Sequence, residues 1–175
     1  MFAPATENLE KRCPVCGRVF FAGEVAADAE RVLTVHLQTL LRHRTDFAIL
    51  TCRTDREGAL IPPAENAWRD PQLLADTDRS CNADAVLAGY VYRFKERVGK
   101  GYAVVSPASV AFGVHLIRVK DGRSIWSGHF DETQDSLSKN LFQLYTFVKR
   151  KGKWLTAEEL AISGLERMLE DFPHP

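Results

Sequence analysis

Between residues 27 and 44 the apolar positions recur every three to four residues. Ala29, Leu33, Leu37, Leu40 and Leu41 share a face with His36, which predicts an amphipathic helix. Asp28 and Glu30 stand in its first turn, and Arg42, His43 and Arg44 in its last, as the helix dipole favours. Short apolar stretches at 18–22 and 47–52 read as strands on either side. Strand, helix, strand at this spacing predicts a right-handed parallel crossover. From 86 to 97 the period changes to two, with Tyr90, Tyr92 and Phe94 on one face. Two further runs, 110–120 and 124–131, flank Asp121-Gly122, a dipeptide that favours a two-residue type I′ hairpin. Helical spacing returns near the end. Leu137, Leu141, Leu144, Tyr145 and Val148 form one stripe. Ala161, Leu165, Met168, Leu169 and Phe172 form another, behind a Thr156/Glu159 capping box and a Leu155/Leu160 staple. Asp70-Pro71 opens one more helix, ending near Cys81. The fold class is α/β (α+β): a central mixed β-sheet with a βαβ crossover and a C-terminal β-hairpin, and helices packed on the sheet.

Two connections stand out. Residues 53–69 form a long polar link containing Pro62 and Pro63, and 98–107 is glycine-bearing. Exposed connections of this kind carry binding residues on rigid scaffolds. The stretches 54–68 and 98–107, with Lys100 and Tyr102 in the second, are therefore the candidate partner-contact surfaces. The chain of 175 residues divides into an N-terminal segment, 1–22, and one domain, 23–175.

Charge narrows the function classes. Lysines and arginines number 23, and so do aspartates and glutamates. A neutral chain does not hold nucleic acid or an anionic membrane across a broad face. The basic run Lys149, Arg150, Lys151 and Lys153 reads as a helix end satisfying its dipole. No stretch reaches the roughly 18 apolar residues of a membrane span. Residues 1–12 lack an apolar leader core, so the chain reads either as starting natively at Met1 or as having lost a leader.

The cysteines carry the most chemistry. Cys13-Pro14-Val15-Cys16-Gly17 has the spacing at which two thiolates grip one zinc ion. Cys52 and Cys81, far apart in sequence, are the long-range disulfide to test, although four cysteines allow three connectivities. A redox dithiol at Cys13 and Cys16 lacks the preceding strand that such motifs use. His115 and His129 fall on the two hairpin strands. With Asp121 and Gly122 as the turn, His115 pairs with Gly128 and Val114 with His129, so the two imidazoles point to opposite faces and cannot share a metal. His129 shares its face with Asp131, an imidazole–carboxylate pair with no nucleophile in a recognisable setting beside it. Gly99-Lys100-Gly101 lacks the phosphate-loop frame, and Ser106, Ser109 and Ser127 lack a nucleophile elbow.

The stretch from Cys81 through Asn82-Ala83-Asp84-Ala85-Val86-Leu87-Ala88-Gly89-Tyr90-Val91, followed by Val114 to Gly128 with Asp121-Gly122 and Trp126, resembles the TolB amino-terminal-like domain of bacterial envelope proteins. It is also similar to curli-secretion lipoproteins and to lipoprotein activators of peptidoglycan synthases. The likeness spans about 23–128, with helix 156–172 consistent in place. It implies a non-enzymatic, protein-binding envelope module that is periplasmic and outer-membrane anchored in its native form. Its partners would be other envelope proteins, with no nucleic acid. It would need no cofactor and would touch the membrane only through a lipid anchor absent from this chain. No lipobox accompanies Cys13, and the Cys13–Cys16 segment falls outside the pattern. The alternative is a cytoplasmic zinc- or thiol-dependent module built on Cys13 and Cys16. An enzyme using His129 and Asp131 is the third class.

Overall fold

The computed structural model describes residues 10–50, 83–100, 103–134 and 154–173. In chain order the elements are β1 (Glu10–Arg12), β2 (Val19–Phe21), α1 (Ala29–Arg42), β3 (Ala85–Lys95), β4 (Val98–Lys100), β5 (Ala103–Ser106), β6 (Ser109–Arg118), β7 (Ser124–Thr133) and α2 (Ala157–Leu169). The class is α+β. Its centre is a three-stranded antiparallel sheet in the order β3-β6-β7, and β1-β2 and β4-β5 form two small ribbons.

Alternation along the central strand β6 divides the molecule into two layers. Val110, Phe112 and Val114 face α1 and α2, and with Leu33, Phe94, Phe130, Leu160, Leu165 and Met168 they make the main core. Each large apolar side chain buried there contributes roughly 1.5–3 kcal/mol. Ala111, His115 and Ile117 point the other way; Phe20 and Cys13 cover Ala111 and His115, and Ile117 packs with Ala88, Val15 and Tyr90. Alpha-2 begins as its sequence predicts. Thr156 Oγ1 accepts from the Glu159 N–H at 3.1 Å, and the Glu159 carboxylate accepts from the Thr156 N–H at 2.9 Å. The two helices meet through His36 Nε2 and Glu158 Oε1, 2.8 Å apart.

Several expectations are corrected. The crossover is not formed by the described residues, because 47–50 is not a strand. Phe47 packs instead on Phe172, ring centroids 5.8 Å apart, under the Arg44 guanidinium. Residues 23–26 run beside β3, with Gly23 N–H donating to Tyr92 O and Ala26 N–H to Phe94 O, and Val25 bridges Phe94 in parallel. That bridge is the parallel part of an otherwise antiparallel arrangement. The 98–107 connection is the β4-β5 ribbon, with Lys100 opposite Ala103 and with Val105 87% exposed. Tyr102, Cys52, Cys81, the stretch 54–68 and the helices expected over 70–81 and 137–151 lie outside the described residues.

The turn between β6 and β7 is longer than two residues. Arg118 N–H donates to Arg123 O and Gly122 N–H to Arg118 O, and Gly122 takes φ +67°, a conformation glycine adopts without steric cost. One residue, Ile125, then bulges out, so that Ile117 faces Ser124 while Leu116 faces Trp126. A second bulge in β3 lies between Val91 and Arg93.

Candidate metal centre

The first ribbon is built around a tight cysteine turn. Cys13 N–H donates to Arg18 O at 2.7 Å and Gly17 N–H to Cys13 O at 3.0 Å. Gly17 closes the turn at φ +74°, where a side chain would be strained. The backbone N–H groups of Val15 and Cys16 favour the Cys13 thiolate, and that of Arg18 favours the Cys16 thiolate. Donors aimed at two sulfurs from one turn suit a pair of charged ligands.

The ribbon lies on the sheet face that carries the histidines. Because Ile125 bulges, His115 stands opposite Ser127 and His129 opposite Gly113. Both imidazoles therefore emerge on the same face, which corrects the opposite-face expectation. An extra residue in one strand shifts the pairing by one and turns every later side chain over. Cys13 Sγ is 3.2 Å from His115 Nε2, and Cys16 Sγ is 3.1 Å from His129 Nε2. One donor atom each from Cys13, Cys16 and His115 lie within 4.8 Å of one another. Ligands around a tetrahedral zinc ion stand roughly 3.4–3.8 Å apart, given Zn–S near 2.3 Å and Zn–N near 2.0–2.1 Å.

The surroundings hold these donors in place. His115 is fully buried, and its Nδ1 meets Ser127 Oγ at 2.8 Å. With an ion bound, Nδ1–H donating there would leave the Nε2 lone pair for the ion, the outer-shell arrangement that orients a metal-bound imidazole. The β3 bulge puts Tyr92 and Arg93 side by side under the ribbon. The Tyr92 ring stacks on Phe20 with centroids 4.1 Å apart. Arg93 donates to Phe21 O at 2.5 Å, to Ser109 Oγ at 2.6 Å and to Asp131 at 2.5 Å. Asp131 is thus committed to Arg93 rather than to His129. Tyr92 Oη is the buried side-chain polar atom that finds no well-formed hydrogen bond among the described residues, yet it stands beside the Cys13 sulfur and favours its thiolate.

Electrostatics separate the two thiols. Burial pushes the Cys13 thiol up, but His115, the nearby Tyr92 hydroxyl and the backbone N–H groups of the turn outweigh it and bring the thiol down to about 6. The Cys16 thiol is raised, by desolvation and then by the neighbouring Cys13 charge. The His129 imidazole titrates below its ordinary value because of burial, His115 and Arg18, so its neutral, ligating form is favoured.

Sequence reasoning located Cys13 and Cys16 but missed His115, His129, Ser127 and Tyr92 as parts of the same cluster. The usable signal was two histidines on adjoining strands downstream of a cysteine knuckle. The bulge that aligns them left no mark in the residue pattern. Among the described residues no helix is long and apolar enough to cross a membrane. No family model matches the chain, and neither the curated proteins nor the solved structures compared with it contain a match.

Proposed function

We propose that this chain is a zinc-binding α+β module in which Cys13, Cys16 and His115 hold a divalent cation that clasps the amino-terminal ribbon to the sheet. The observation that carries this reading is the gathering of three donors within 4.8 Å, two of them 102 residues apart in sequence. Two thiolates and an imidazole select zinc over hard cations, which take oxygen ligands. The ion's work is architectural, because its ligands join the ribbon to the central strand. Elemental analysis of protein purified in zinc is expected to find one zinc per chain. Cys13→Ser, Cys16→Ser and His115→Ala should each reduce that content. A metal-free wild-type chain that also takes up no added zinc overturns the reading.

For the setting of this module we propose the bacterial envelope, on the TolB-like motif of 81–128 alone. Fractionation of source cells with an intact mass of the native protein is expected to find a membrane-associated, acylated form. A soluble form starting at Met1 overturns it.

A further inference from the structure

We infer that His129 is the fourth ligand of the same ion, which makes the centre a closed site of two cysteines and two histidines. This rests on the metal reading above. His129 stands outside the group of three donors but touches it, with Nε2 3.1 Å from Cys16 Sγ. Cys13 and His115 are buried and Cys16 is exposed, so the open side of the group is the side Cys16 occupies, and the His129 ring sits there. The ring is held edge-on to His115, centroids 5.5 Å apart, and tilted against Phe20 at 5.9 Å. Asp131 does not compete for it, being bound to Arg93.

On the strand opposite, Gly113 pairs with His129, and a Cβ there would make ordinary contact with both rings, at 3.4 Å from His115 Nε2 and 3.6 Å from His129 Cδ2, so the two imidazoles flank one position of the sheet. A turn of the His129 side chain would carry Nε2 from the Cys16 sulfur toward the shared ion. Four protein ligands leave no place for water, and a zinc ion so enclosed is structural rather than catalytic. With three ligands, by contrast, the fourth position would hold water and the site would be open to substrates.

Cobalt(II) titration of the full chain separates these cases. The wild type is expected to show the intense ligand-field bands of four-coordinate cobalt, unchanged by thiocyanate. His129→Ala should bind at least roughly 10-fold more weakly, since loss of an outer-shell partner alone costs 10–100-fold. Its bands should weaken, respond to thiocyanate and recover with added imidazole. His129→Cys, which keeps a donor in place, should retain the tetrahedral bands and gain thiolate-to-cobalt charge transfer. Wild-type affinity and spectra in His129→Ala, or unchanged charge transfer in His129→Cys, overturn the fourth ligand and leave the three-ligand site standing. A wild type that binds no cobalt overturns both.

Discussion

Stripping the proposed ion with a chelator is expected to lower the melting temperature by roughly 5–15 °C. A ligand bound only by the folded state, at 100–1,000 times its dissociation constant, stabilises by about 2.7–4.1 kcal/mol. For a domain of this size each kcal/mol moves Tm by roughly 2–4 °C. The damage should be local. The core of α1, α2 and the inner sheet face, around Phe112, Phe130 and Leu165, lies on the side away from the ribbon. It keeps its contacts when the ion leaves. The ribbon retains the Phe20–Tyr92 stack and the Arg93 bond to Phe21 O, which are few for a two-stranded element that is marginal alone. Amide hydrogen exchange should therefore rise at 10–21 while β6 and α2 stay protected. Metal removal that leaves both Tm and exchange at 10–21 unchanged would show that the ion does not hold the ribbon.

The second large effect lies on the opposite face. Gly164 sits where α2 crosses β7, and a Cβ there would come 2.6 Å from Phe130 Cγ. That atom is the root of a ring already packed on Phe112, centroids 5.4 Å apart, so it has nowhere to go. Gly164→Val is expected to cost about 3 kcal/mol, the upper end of overpacking penalties, which is roughly 6–12 °C in Tm. Gly164→Ala gains back about 1 kcal/mol of helix propensity and should be milder. Gly128 offers the contrast. A Cβ there meets Met168 Cγ at 2.2 Å and Trp126 Cη2 at 2.6 Å; the methionine is flexible and can swing aside, which leaves the indole edge as the rigid obstacle to a single added carbon, so Gly128→Ala should cost less than Gly164→Val. Denaturant melts of the three variants test the order, and a Gly164→Val protein as stable as the wild type would refute the close-crossing account.

Helix α2 was legible to its first residue, because a capping box is a local device whose two hydrogen bonds depend on residues three apart. Alpha-1 was legible from its apolar stripe. The strand expected at 47–52 was misread over 47–50, since an apolar run does not say what it packs against, and here Phe47 finds Phe172. The site was half legible. Cysteines three residues apart declare themselves, but the histidines depend on the parity of strand pairing. The Asp121-Gly122 turn would have set His115 opposite Gly128, whereas the bulge at Ile125 sets it opposite Ser127. Ile125 is a common strand residue, 48% exposed, and nothing in its identity marks it as the extra one. The β3 bulge is equally silent, although it is what lets Tyr92 and Arg93, consecutive in sequence, both support the ribbon.

The 102 residues between Cys13 and His115 also set an order of events in the cell. On the ribosome the cysteine turn emerges first and waits for its distant partner. At synthesis rates of about 5–20 residues per second, that wait is roughly 5–20 s. During it the pair is exposed, able to take up an ion as a half-site or to be oxidised. Under the proposed metal reading, the supply of zinc and the redox state around the nascent chain in those seconds would decide which product matures.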